Sequence, residues 1–207
     1  DDVIISNNTI DDVSSSAPTV NYGIYLDAAS DRARISGNLI RTVRFPIYIK
    51  AGDFNIISGN IIENSVSTSI SLGKDGTATP DGNAIIGNRI TNPASGIDLS
   101  GANRFVISGN SITSVSGIGI SIDSDATKGT ISGNMITTDS GTSYGMVIKG
   151  DWIAITGNMV YAFGSYGISR AGTADHTTIV GNVCDGASDD IDGSTNVYNT
   201  VADNQTD

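Results

Sequence analysis

Isoleucines recur along this chain in a frame set by asparagine. Counted from Asn8, Asn38, Asn60, Asn88, Asn110, Asn134, Asn158 and Asn182, the third residue before is Ile5, Ile35, Ile57, Ile85, Ile107, Ile131, Ile155 or Ile179. The second residue after is Ile10, Ile40, Ile62, Ile90, Ile112, Ile136, Val160 or Cys184. Mostly polar or small residues separate the two positions, so both are predicted to point inward from short strands. The residue just before the asparagine is glycine in seven copies: Gly37, Gly59, Gly87, Gly109, Gly133, Gly157 and Gly181. Gly followed by Asn predicts a sharp corner, because these two residues tolerate positive φ best. A further apolar pair at period two follows in most frames: Ile24 and Leu26, Ile47 and Ile49, Ile70 and Leu72, Ile97 and Leu99, Ile118 and Ile120, Met146 and Ile148. Each frame therefore predicts three strands, two of them joined at the Gly-Asn corner.

The frames are spaced by 30, 22, 28, 22, 24, 24 and 24 residues, and a degenerate ninth copy at Asn204 follows 22 residues later. Self-similarity at this period, carried by β-branched residues, predicts a solenoid with one strand-built coil per repeat. Residues 1–207 are read as a single domain. Two polar excursions leave the frame, Asp11 to Asn21 and Gly73 to Gly82. Near the end the pattern decays, with Arg170 in an apolar slot and Ile191 standing alone between aspartates. The chain begins inside a strand, and neither end carries a capping signal, so a fragment of a longer chain is expected.

The order Gly-Ile-x-Leu, variable loop, Ile-Ser-Gly-Asn-x-Ile, seen at Gly96 to Leu99 and Ile107 to Ile112, resembles the repeat of single-stranded right-handed parallel β-helix proteins of the pectate-lyase-like type. The resemblance covers essentially the whole chain and is closest to the β-helix domains of phage tailspikes and polysaccharide-processing proteins. It implies an all-β solenoid of about eight coils, and it implies that the recurrent asparagines stack into a ladder, each amide bonding to its copies and to corner backbone. A translational stack satisfies every donor and acceptor of a buried amide with identical partners about 4.8 Å apart. The motif is informative about fold and much less about function, since lyases, epimerases, hydrolases and tailspikes share it.

Composition narrows the partners. Acidic residues outnumber Lys and Arg 22 to 11, for a net charge of −11, which argues against nucleic acid and anionic membrane as general partners. No segment is apolar and long enough for membrane insertion. The single cysteine, Cys184, falls on an inward isoleucine position and is expected to be a core thiol. With one histidine, His176, neither a His-rich metal site nor a Ser-His nucleophile pair is expected. The expected location is extracellular or on a virion surface.

Outward positions carry the candidate chemistry. Six residues before the asparagine stand Arg32, Phe54, Gly82, Arg104, Lys128, Trp152, His176 and Tyr198, an aromatic and basic seam on which sugar faces could stack and carboxylates or hydroxyls could bond. A loop lying over this edge and burying the rings is the competing reading. Tyr25, Tyr48, Ser71, Asp98, Gly119 and Ser169 stand on the Gly-Ile-x-Leu strand, and Asp27, Lys50, Asp53, Lys74, Asp75, Asp123, Asp125, Lys149 and Asp151 on the loop after it. The resemblance implies that this face is the cleft. Asp98 paired with Asp123 or Asp125 suits general acid-base hydrolysis of a glycoside; as turn residues these aspartates would instead bond local N–H groups. Substrate binding is assigned to Tyr25, Tyr48, Lys50, Arg104, Lys128, Lys149, Trp152 and His176. No cofactor is called for, although Asp123 and Asp125 with Lys149 would form a crude calcium-assisted lyase site. A third column, Leu39, Ile61, Met135, Met159 and Val183, interrupted by Arg89 and Ser111, is an outward apolar stripe that a partner should cover; the tailspike resemblance implies a homotrimer, and a segment of the longer chain is the rival occupant. The reading is a polysaccharide-recognising module of a tailspike or surface-attached protein, able on one view to cleave its ligand. The alternatives are a structural β-helix spacer of a fibre or adhesin and a secreted polysaccharide lyase or epimerase.

Overall fold

A computed structural model describes residues 2–11, 21–28, 30–138, 144–172, 174–186, 191–192, 200–202 and 205–206. Among them every regular element is a strand. The strands form three parallel sheets, two of nine strands and one of eight, and each strand pairs with its equivalents one repeat away in sequence. The first sheet holds the strands before the corner (Arg34–Ser36, Ile56–Ser58 and their copies), the second those after it (Leu39–Arg41, Ile61–Glu63), and the third the Gly-Ile-x-Leu strands (Tyr22–Leu26, Phe45–Lys50, Thr68–Gly73, Ser95–Leu99). The protein is a parallel β-solenoid. Asn204, Tyr198 and most of the excursion from Asp11 to Asn21 lie outside the described residues.

Register follows the isoleucine frame. Ile85, Ile107, Ile131 and Ile155 align across the first sheet, and Ile90, Ile112, Ile136 and Val160 across the second. From Ile35 onward in the first sheet and Ile40 in the second, these columns are buried through Ile179 and Cys184. Stacking like on like lets each side chain cover the one below it, so a narrow tube acquires a continuous dry core.

The corner is built as the motif demands, with one correction. Glycines 37, 59, 87, 109, 133, 157 and 181 all take φ between 62 and 66° except Gly59 at 61°, and Asn7 holds the position at 58° in the first copy. The following asparagine does not share the positive φ; its task is the ladder. From Asn8 to Asn158 each backbone N–H and each Nδ2 donates to Oδ1 of the next asparagine, as between Asn110 and Asn134 at 3.0 and 2.9 Å. From Asn38 onward, where the amides are buried, Nδ2 also donates to an isoleucine carbonyl one coil back, as from Asn134 to Ile107 at 3.0 Å. Every polar valence of these buried amides is used.

One register expectation is overturned. The inward pair of the fifth Gly-Ile-x-Leu strand is Ile120 and Ile122, which align with Ile97 and Leu99 and are fully buried, while Ile118 is only partly covered. Two overlapping motifs, Gly117-Ile118-x-Ile120 and Gly119-Ile120-x-Ile122, compete here. A Cβ on Gly119 would lie 2.5 Å from the Gly145 carbonyl oxygen, and one on Gly96 2.3 Å from that of Gly119. The glycine of this motif is thus set by close approach of adjacent coils, and Gly119 is the one in that column.

Candidate functional site

The outer face of the third sheet presents one column, Tyr25, Tyr48, Ser71, Asp98, Ser121, Val147 and Ser169, each in register with the next. Ser121, not Gly119, stands beside Asp98, a consequence of the register above. Ser71, Val147 and Ser169 are buried although they point out of the core, while Asp98 and Ser121, which stand between Ser71 and Val147, are partly exposed. The strand beginnings carry rings: Tyr22 lies 5.7 Å from Phe45 and 5.2 Å from Tyr48, and Tyr144 stacks on Tyr166 at 6.1 Å. The strand ends and following loops carry charges. The face therefore has an aromatic side and an ionic side.

Sequence reading found Tyr25 and Tyr48, which stack at 5.7 Å with their planes 19° apart. It missed Tyr22, Phe45, Tyr144 and Tyr166, because rings at the irregular start of each strand fall outside the repeating frame. Tyr25 is 41% exposed, and its hydroxyl donates to Asp27 Oδ1 at 3.1 Å. Desolvation pushes the Tyr48 hydroxyl above its ordinary value. On the ionic side Lys50 Nζ lies 3.0 Å from Asp75 and 3.9 Å from Asp27, and Lys74 is ion-paired with Asp125. Both lysines are held protonated above their usual range, first by the hydrogen bond to the partner carboxylate.

The three proposed acids have different surroundings. Asp98 is half-buried on a strand, and burial first, then the charge of Asp123, pushes its carboxyl upward against the opposing Ser121 hydrogen bond and Lys149. Asp123 is a turn residue: its Oδ2 accepts from Ser100 Oγ at 2.9 Å, and its Oδ1 from the N–H of Gly101 at 2.9 Å and of Asp125 at 3.1 Å. Asp125 is engaged by Lys74. Asp53 and Asp151 likewise cap the next coil, accepting from the N–H of Asp81 at 2.9 Å and of Asp175 at 2.7 Å. The structure thus brings Asp98, Ser121, Asp123 and Lys149 together, with Tyr48 near enough to feel the Asp98 charge. These bonds also leave the suggested calcium ligands a poor fit, and among the described residues no three His, Cys, Asp or Glu side chains gather as a metal cluster.

Arg104, Lys128, Trp152 and His176 stand elsewhere, on the corner where the chain enters the first sheet. All four take positive φ, from 50 to 60°, which throws their side chains outward from the coil. Arg104 is locked on Asp81, with Nε at 2.8 Å from Oδ1. Trp152, 56% exposed, stacks on His176 at 3.8 Å with planes 8° apart. A cavity of about 360 Å³ opens at the N-terminal end of this edge, lined by Asp2, Ile4, Arg32, Arg34, Phe54 and Ile56. On the second sheet, Leu39, Ile61, Arg89, Ser111, Met135, Met159 and Val183 align as one outward column, and Arg89 bonds Glu63 at 3.1 Å.

Comparison with known proteins agrees with the architecture. The model of one family, described as periplasmic copper-binding protein (NosD), matches residues 1–136 and 73–206. No curated protein matches by sequence. Among solved structures, a mutant of DFA-IIIase from Arthrobacter chlorophenolicus A6 in complex with DFA-III superposes with TM-score 0.74 at 16% identity, over 99% of this chain and 55% of that one. PfbA, a surface adhesin of Streptococcus pneumoniae, gives 0.61 at 12% identity, covering 98% and 68%. The Agl-KA catalytic domain gives 0.54 at 9%, covering 100% and 53%. This chain spans little more than half the length of the DFA-IIIase chain it resembles, and at these identities the likeness is one of fold.

Proposed function

The chain belongs to the NosD family, and we propose that it is a carbohydrate-recognising β-helix module whose ligand lies along the outer face of the third sheet. The observation that carries this is the column from Tyr25 to Ser121 between an aromatic and an ionic side. Sugar C–H faces stack on Tyr22, Tyr25 and Tyr48, and sugar hydroxyls bond the serine and aspartate oxygens. The family's copper does not fit this chain's donors. Cys184 and Met146 are buried in the core, His176 is stacked on Trp152, and only Met135 and Met159 stand side by side as exposed soft donors; two thioethers do not complete a copper centre.

The raised carboxyl of Asp98 favours a second reading, hydrolysis. Asp98 would give its proton to the glycosidic oxygen as the bond from the anomeric carbon breaks, while water adds to that carbon and loses a proton to Asp123. Three hydrogen bonds already occupy the Asp123 oxygens that the water would need, so recognition stands first. The extracellular or surface location and the homotrimer through Leu39, Ile61, Met135, Met159 and Val183 belong to the same proposal. They are supported by the periplasmic description of the family, the adhesin neighbour and the exposure of the stripe.

Glycan-array binding followed by chain-length analysis tests the reading. The expected result is retention on a glycan, weakened at least tenfold in Tyr48→Ala. If hydrolysis occurs, Asp98→Asn should slow it about a hundredfold or more. Full cleavage by Asp98→Asn would remove Asp98 from the chemistry, and a protein that retains no glycan would be a structural spacer.

A further inference from the structure

We propose that the glycan held on this face is uncharged; the inference rests on the carbohydrate reading of the site and adds its substrate class. The ionic side contains the carboxylates of Asp27, Asp75, Asp98, Asp123 and Asp125 and the ammonium groups of Lys50, Lys74 and Lys149. Negative charge is therefore in excess by two before any ligand arrives. Two of the three cations are already committed: Lys50 lies between Asp75 at 3.0 Å and Asp27 at 3.9 Å, and Lys74 is paired with Asp125. A uronate could recruit either lysine only by displacing its present carboxylate, so the gain of one ion pair is offset by the loss of another. Lys149, the remaining cation, already acts on Asp98. An anionic sugar seated at the centre of the column would face Asp98, whose half-buried position screens repulsion less than open solvent would.

A divalent cation bridging uronate to aspartate is the usual escape from such repulsion, and two of the loop carboxylates that would hold it, Asp123 and Asp125, are already engaged. Both oxygens of Asp123 accept hydrogen bonds from Ser100, Gly101 and Asp125, and Asp125 is held by Lys74. Neutral sugars meet no such obstacle. Their hydroxyls donate to carboxylates in charge-assisted bonds, and their C–H faces lie on Tyr25 and Tyr48 without a change in net charge. The same arrangement bears on chemistry. β-Elimination needs a cation to neutralise the uronate beside the proton being removed, and hydrolysis of a neutral glycoside does not.

The test is affinity electrophoresis of the intact chain and of Tyr48→Ala in gels containing a panel of neutral polysaccharides, polygalacturonate, and the same polygalacturonate after carboxyl reduction. The expected result is retardation by at least one neutral polymer, lost in Tyr48→Ala, changing less than about twofold as salt rises tenfold, with no retardation by polygalacturonate. Retardation by polygalacturonate stronger than by its reduced product, and lost in Tyr48→Ala, would overturn the neutral assignment while leaving the carbohydrate site in place. No retardation by any polymer would overturn both.

Discussion

At the scale of single residues, the asparagine column shows what makes a buried amide tolerable: repetition supplies its partners. Asn134 accepts from both the backbone N–H and Nδ2 of Asn110 and donates to Ile107 and Asn158. Asn134→Ala strands three or more of these groups in the core, and at about 1 kcal/mol or more each the loss should reach about 3 kcal/mol by urea denaturation. A loss under about 1 kcal/mol would mean that water replaces the ladder. Asp98 is the opposite case, a lone carboxyl that gains no ladder. Its folded-state value is raised, so its favourable contribution is present in full below the ordinary value of 3.8 and is lost as pH rises through the raised one. Asp98→Asn, which stays neutral, should therefore raise Tm at pH 7 and leave it nearly unchanged at pH 3. An equal effect at both pH values would show that the residue's cost is not one of ionisation.

At the scale of the strand, the decisive question is which residues of a repeating motif face inward. A slip of two residues preserves alternation, so Ile118, Ile120 and Ile122 offer two equally periodic registers, and the first of these is the one that motif reading selects. The neighbours choose the second: Ile122 is fully buried, Ile118 is partly exposed, and Ile120 and Ile122 align with Ile97 and Leu99 of the coil before. Ile122→Asp should prevent folding, as an unpaired charge in the core costs several kcal/mol, while Ile118→Asp should fold with an unchanged circular dichroism spectrum. The reverse pattern would restore the register predicted from sequence. The same argument explains why Ser121 entered the candidate site in place of Gly119.

At the scale of the whole molecule, a stack of parallel coils leaves long exposed faces, and the second sheet's face is the most apolar of the outward columns identified from sequence. Met135 and Met159 are 39% and 42% exposed and adjacent in register, and Ile61, at 36%, continues the column. If three copies share this face, Met135→Lys with Met159→Lys should shift the sedimentation coefficient from trimer to monomer without altering the strand signal, because both side chains already point to solvent. An unshifted trimer would place the contact elsewhere, and a wild-type monomer would mean that the homotrimer does not form.

The chain alone specified the coil: the asparagine frame, the inward isoleucines and the corner glycines are local demands that every repeat states again, so each copy reinforces the register of the others. It also showed which residue types stand outside, Asp98, Tyr25, Tyr48 and Trp152 among them. Tertiary structure alone decided what those residues do. Asp123 is consumed by a turn, Lys74 by Asp125 and Arg104 by Asp81, while Asp98 is left half-buried on the outer face of the third sheet. Those outcomes depend on groups from other coils, 22 to 51 residues apart, a separation over which a repeat pattern specifies register but not which charged group meets which.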